Sequence, residues 1–230
     1  MIAPLALVAG SAPSLLPKNV NSLSTPMQIV LLMTALTLLP AIIMSITPFL
    51  RISIVLHFLR QALGTQSAPS NQVLTGLALF LTLIMIEPLS MQIYKDAWAP
   101  MDRGEISAAQ AWDAGSKPLK QYLSKFVREK DVKLFLDITH SAPPRNAADL
   151  DLQVLAPAYI LSEMRAGFQI GAVLFLPFLL IDIVVASVTL SIGMVQLPPA
   201  MVSAPFKILL FVLVDGWNLC IGSLMKGFYS

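Results

Sequence analysis

The sequence predicts an all-α, multi-pass integral membrane protein, and three observations carry that prediction. Hydrophobic residues make up 56% of the chain. Charged residues make up only 12%, about half of the roughly 25% found in ordinary soluble domains. Mean hydropathy is +0.75, and the apolar residues fall into long blocks on either side of one charged stretch. A soluble chain of this size would have to hide all that apolar surface; in lipid it need not.

Taken in order, residues 1–25 form an N-terminal segment that resembles a signal-peptide remnant. Residues 2–9 are apolar and Gly10-Ser11-Ala12 follows, but the first basic residue is Lys18, so the charged n-region of a secretory signal is missing. Residues 26–94 are the first hydrophobic helical region. Within it, residues 27–50 carry no charge and exceed the roughly 20 residues needed to cross the hydrocarbon core. Pro40 and Pro48 are expected to interrupt them, because proline removes a backbone donor. Residues 51–63 form a shorter segment holding Arg51, His57 and Arg60, and residues 64–71 read as a turn. Residues 73–91 are the next span, with Glu87-Pro88 near its end.

Residues 95–152 form an aqueous, largely helical loop in which most charges of both signs are mixed. Leu119, Tyr122, Leu123, Phe126 and Val127 share one helical face, while Lys120, Lys125, Arg128 and Glu129 take the other. Phe126, with Phe135 further along, is the expected subunit contact. Residues 142–145 (APPR) end this amphipathic helix. Residues 153–230 are the second hydrophobic helical region. Its first segment, 158–192, contains Glu163, Arg165 and Asp182 and is interrupted by Pro177; a turn over 191–199 leads to the segment 201–224, which contains Lys207 and Asp215.

The chemistry of the chain argues against catalysis. It has no G-x-S-x-G, H-E-x-x-H, Walker or C-x-x-C motif. Its two histidines, His57 and His140, lie in separate regions without metal-ligand company. The expectation is a non-enzyme without cofactor. The net charge of +2 and the lack of a basic run with interleaved aromatics argue against nucleic acid. The single cysteine, Cys220, reads as a packing residue.

The informative residues are charges within apolar sequence: Glu87, Glu163, Asp182, Lys207 and Asp215. An ionised group at the bilayer centre costs at least about 2.5–3.5 kcal/mol, so such groups face a bundle interior, a water path or an opposite charge. Asp182 and Lys207, of opposite sign across the Pro198-Pro199 turn, suit a pair between helices or subunits. They would equally suit the coupling pair of an ion- or solute-coupled transporter. Before that turn, Met194, Val195, Gln196 and Leu197 form an uncharged loop in which a flexible methionine could line a constriction.

Several long strings resemble the FliP family: residues 47–55 (TPFLRISIV), 59–74 (LRQALGTQSAPSNQVL), 76–82 (GLALFLT), Ser162-Glu163, 175–182 (FLPFLLID), Pro198-Pro199, 205–207 (PFK), 213–217 (LVDGW), Ser223-Leu224 and 228–230 (FYS). The resemblance runs from about Pro26 to the C-terminus. It implies a subunit of the flagellar type III export gate in the bacterial inner membrane, within the flagellar basal body. Family members also serve virulence secretion systems, and the string over 63–71 looks flagellar. The implied fold is bent helical hairpins, and the implied assembly is a helical homo-oligomer, a pentamer in the family, with FliQ- and FliR-like partners. The implied cargo is unfolded flagellar proteins. The family's methionine-rich gate loop maps onto Met194, Val195, Gln196 and Leu197, and this chain departs from it in having one methionine there.

Overall fold

A computed structural model describes residues 24–65, 67–141, 150–193 and 198–229. Every regular element among them is helical: α1 (Thr25–Ser45), α2 (Phe49–Ala62), α3 (Asn71–Ile93), α4 (Ala99–Asp102), α5 (Ala108–Phe126), α6 (Glu129–Thr139), α7 (Leu152–Ser191), α8 (Pro199–Leu213) and α9 (Gly216–Tyr229). A π-helical turn, Tyr94–Trp98, joins α3 to α4. The segment before residue 24, the 142–145 breaker and the 194–197 loop lie outside the described residues.

Among the described residues, three stretches are long and apolar enough to cross a membrane: Thr25–Ser45, Asn71–Asp102 and Leu152–Ser191. The pair α8 and α9, bent by 65°, is a fourth if it counts as one broken span. This is an all-α, multi-pass membrane protein. At 40 residues, α7 is about 60 Å long, twice the roughly 30 Å hydrocarbon core, so part of it stands outside lipid or is tilted.

The chain divides into two units, residues 1–42 and 43–230. The described part of the first is most of α1, which buries no side chain along its length. The second holds three apolar clusters. One joins α2 to α7, α8 and α9 through Val55, Leu59, Phe178, Phe211, Cys220 and Leu224. Another joins α2 to α3 through Ile52, Leu56, Leu74, Ala78 and Leu81, with Ile221, Met225 and Phe228 of α9 against it. The third seats α5 and α6 on α7 through Leu123, Val154, Leu155 and Tyr159.

Several local expectations change. Pro40 and Pro177 do not interrupt their helices: α1 and α7 run through them, as do α3 through Pro88 and α8 through Pro205. Membrane helices tolerate proline where neighbouring groups satisfy the freed backbone. The break that α1 does show comes at residues 46–48, where Pro48 precedes α2. The amphipathic helix ends at Phe126 rather than at the 142–145 breaker, because Val127 and Arg128 are both extended (ψ 136° and 139°) and α6 begins anew at Glu129. The apolar stretch 201–224 is two helices. Asp215 adopts a left-handed conformation (φ 50°) that ends α8, and its carboxylate accepts from Asn218 Nδ2 at 3.0 Å in the first turn of α9. Asp tolerates this region better than most residues.

Candidate functional site: charges buried between the helices

The first buried charge centre arises where four helices, α2, α5, α7 and α9, converge. Arg51, at the start of α2, ion-pairs through Nη2 with Glu163 Oε1 in the first third of α7. Glu163 is 0% exposed. The Arg51 guanidinium lies 4.0 Å from the ring centre of Phe228 near the end of α9 and 5.7 Å from that of Phe126 at the end of α5. The two rings stack edge to face at 5.5 Å. A desolvated guanidinium over aromatic faces gains cation–π attraction, so α9 and α5 both help to hold the cation over the carboxylate.

The residue before Glu163 serves a different helix. Ser162 Oγ donates to Asp131 Oδ2 at 2.7 Å and accepts from the Arg128 backbone N–H at 3.1 Å. Asp131 is buried in the first turn of α6, where a carboxylate also complements the positive end of the helix dipole. Arg165 approaches Asp131 from α7 at 3.9 Å. Successive residues of α7 thus fix α6 and α2.

The second centre lies between α7 and α8. Lys207 Nζ donates to Asp182 Oδ2 at 2.6 Å, and Ser203 Oγ donates to Asp182 Oδ1 at 2.5 Å. The Lys207 side chain is 3% exposed and that of Asp182 is 27% exposed. Phe178 and Phe211 face each other one turn away, with ring centres 6.3 Å apart, so the helices run antiparallel. The asymmetry in exposure predicts an order of damage. Asp182→Ala leaves a buried ammonium unpartnered and should cost about 1–3 kcal/mol or more. Lys207→Met leaves a carboxylate that keeps Ser203 and some water, and should cost less. Thermal aggregation of the detergent-solubilised protein checks the order; a reversed order would mean that Asp182 is not what holds Lys207.

The other expected residues fall differently. Glu87 is on the exposed side of α3 and forms no ion pair among the described residues. Phe126 and Phe135 are half-buried against the cluster that seats α5 and α6 on α7, so the contact they display is within the chain. Met194, Val195, Gln196 and Leu197 lie outside the described residues. His57 sits on α2 with Nδ1 2.7 Å from the Ser53 carbonyl, and His140 is the left-handed residue that caps α6.

Sequence reasoning missed the partner of Glu163 and the packing beneath it. Arg51 and Glu163 are 112 residues apart; the available signal was that each is a charge within apolar sequence, of opposite sign. It also passed over Gly167 and Gly171, which form G-x-x-x-G on α7. A Cβ on Gly171 would lie 2.6 Å from Phe58 Cγ, and one on Gly167 would lie 3.1 Å from Ile54. Small residues at this spacing let two membrane helices approach closely. Together with Arg51–Glu163, these contacts show that α2 runs parallel to α7.

Comparison with known proteins finds relatives over most of the chain. The model of the FliP family matches residues 32–224. The flagellar biosynthetic protein FliP of Bacillus subtilis (strain 168) is 46% identical over 212 residues, covering 92% of this chain and 95% of its own length. That of Pectobacterium carotovorum subsp. carotovorum is 44% identical over 215 residues, covering 94% of this chain and 83% of its own. The Caulobacter vibrioides (strain ATCC 19089 / CIP 103742 / CB 15) protein of the same name is 43% identical over 228 residues, covering 99% of this chain and 86% of its own. With the family model and relatives of this similarity spanning both buried charge centres, the chain belongs to the FliP family.

Proposed function

We propose that this chain is a core subunit of the flagellar type III export gate. Several copies, five by family resemblance, assemble with FliQ- and FliR-like subunits in the inner membrane and enclose a conduit for unfolded flagellar proteins. The observation that carries the reading is the family match over residues 32–224, which includes every helix from α2 to α8. The relatives compared above are all named for flagellar biosynthesis, which favours this reading over a solute-coupled transporter or a virulence secretion subunit.

The physical role is that of a braced wall. Arg51–Glu163 and Asp182–Lys207 are ion pairs that tie helices together, and Asp182 and Lys207 bound a stretch, residues 183–206, with no charged side chain. The proposed gate residues Met194, Val195, Gln196 and Leu197 lie within it. Repeated around an axis, such uncharged side chains can exclude water in the manner of a hydrophobic gate, and methionine can reshape around a passing chain.

Complementation tests the function. In a flagellated bacterium lacking its own copy, this chain should restore motility and release of hook protein into the medium, and it should co-purify with the FliQ- and FliR-like subunits. Failure on all counts with normal membrane expression would overturn the reading. For the gate, Met194→Ala should raise membrane conductance to small ions while export continues. Conductance at the wild-type level after both Met194→Ala and deletion of residues 194–197 would place the seal elsewhere.

A further inference from the structure

We propose that the outward face of α2, formed by Ser53, His57 and Gln61 with Arg60 and Thr65 at its end, is a polar wall of the aqueous path along which the exported polypeptide slides. The inference rests on the export reading above and assigns residues to it.

Ser53, His57 and Gln61 follow at i, i+4 and i+8, the spacing that places side chains on one face. The opposite face of α2 is fully committed: Ile52, Val55, Leu56 and Ala62 are each 0% exposed. Within the chain's apolar surroundings, α2 is therefore an amphipathic helix. It packs in parallel against α7 through Ile54–Gly167 and Phe58–Gly171, so the stripe lies at the depth of a candidate membrane span. Near that level the free surface of α7 is Val173, Leu176 and Leu180, each more than half exposed.

One environment cannot suit both surfaces. Hydrocarbon accepts the valine and leucine face of α7 but penalises hydrogen-bonding groups without partners. The stripe keeps unspent capacity. His57 uses one ring nitrogen on the Ser53 carbonyl. Arg60 uses Nη1 on Asn71 Oδ1 at 2.5 Å and the Pro69 carbonyl at 3.4 Å. The Gln61 amide has no partner among the described residues. The stripe therefore needs water or polar groups from outside the chain.

Its shape favours a mobile occupant over a docked helix. Two adjoining hollows run along it. One of about 470 Å³ is lined by His57, Arg60, Gln61, Gly64 and Thr65. The other, of about 230 Å³, is floored by Ile54, Phe58 and Phe168 beside Ser53, His57 and Gln61. Phe58 and Phe168 pack edge to face at 5.6 Å. The hydroxyl, imidazole and amide groups of Ser53, His57 and Gln61 match the peptide groups of an extended chain, and the two rings match its apolar side chains without demanding a sequence. No carboxylate lines either hollow, so a metal ion is a poor fit.

Thiol accessibility in assembled complexes tests the assignment. The parent is Cys220→Ser, which removes the chain's one native thiol, itself buried. Ser53→Cys, His57→Cys and Gln61→Cys are compared with Val173→Cys and Leu180→Cys, using the membrane-impermeant reagent MTSES. The stripe positions should react at least about tenfold faster than the α7 positions, because a thiol in apolar surroundings stays protonated and inert. Stalling an export substrate by fusing it to a tightly folded domain should suppress that reaction several-fold. Stripe thiols that stay silent while export continues would show that a neighbouring subunit covers the face. Thiols that react equally with and without the stalled substrate would show water but no polypeptide path. Either result overturns the proposal. Loss of export in the parent itself is read separately by hook-protein release, and strikes the export reading instead. As a check on any variant that fails to assemble, Gln61→Leu should slow export with the amount of assembled complex unchanged; unchanged export would count against the wall.

Discussion

Glu163→Ala is expected to cost about 3–5 kcal/mol, the usual penalty for stripping one partner from a buried ion pair. The variant should lose stable complex in detergent, and with it motility. The reason is what remains after the change. Arg51 is 8% exposed and lies against the paired rings of Phe126 and Phe228, so its guanidinium is left without its carboxylate in a place with little access to water. The damage should spread along the helices the cation holds, because α9 reaches that cation through Phe228. Cys220, buried in α9 at 4% exposed, gives a built-in reporter. It should become reactive toward maleimide in Glu163→Ala and stay silent in the otherwise unaltered chain that keeps Glu163. The double variant Arg51→Met with Glu163→Leu removes both charges and keeps the volume, and replacements of that kind are often neutral or stabilising. Recovery of complex yield and Cys220 protection in the double variant would show that the pair's charge, rather than its shape, is what the single variant violates. A double variant no better than the single one would sink that account.

Phe228→Ala separates the cation–π contact from the ion pair. It should free α9 with a smaller loss, because Glu163 still neutralises Arg51. Maleimide labelling of Cys220 that rises while complex size holds would bear this out; unchanged labelling would mean that Ile221, Leu224 and Met225 hold α9 without it.

How much of this was legible in the sequence depends on the range of the interaction. The spans α1, α3 and α7 were readable because a run of some twenty apolar residues needs no tertiary information. Breaks were harder. The division at Asp215 is invisible to hydropathy, since Val214 and Trp217 continue the apolar run, yet Asp215-Gly216 is a turn dipeptide that could have flagged it. The break at Val127-Arg128 contains neither glycine nor proline, and only the extended backbone there reveals it. The prolines misled in the opposite direction, because a rule drawn from soluble helices weighs them more heavily than membrane helices do.

Pairings were the least legible. Asp182 and Lys207 are 25 residues apart with a turn between them, so an antiparallel hairpin narrows the choice of partner. Nothing local narrows it for Arg51 and Glu163, because their meeting depends on α2 lying parallel to α7. The Ser162–Asp131 hydrogen bond, which docks α6, has no sequence signature at all.

That parallel contact sets up the second large effect, Gly171→Leu. At Gly171 even a Cβ would sit 2.6 Å from Phe58 Cγ and 2.9 Å from Phe58 Cβ. The nearer part of Phe58 is the base of the side chain, which cannot swing aside without moving α2. A leucine must therefore wedge α2 away from α7, and overpacking of this kind costs about 3 kcal/mol or more where the backbone has to shift. The wedge also lies two helical turns from Arg51–Glu163, so it should loosen that pair as well. Gly167→Ala is the graded control. Its Cβ meets only Ile54 side-chain atoms, at 3.1–3.3 Å, and small adjustments can absorb that. The expected order of complex yield is parent, then Gly167→Ala, then Gly171→Ala, then Gly171→Leu. Phe58→Ala should restore part of the loss in Gly171→Leu by opening the space the leucine needs, while being mildly destabilising in the parent. A double-mutant cycle on thermal stability reads that coupling directly. Additive losses, with no rescue by Phe58→Ala, would show that Gly171 acts through something other than the approach of α2.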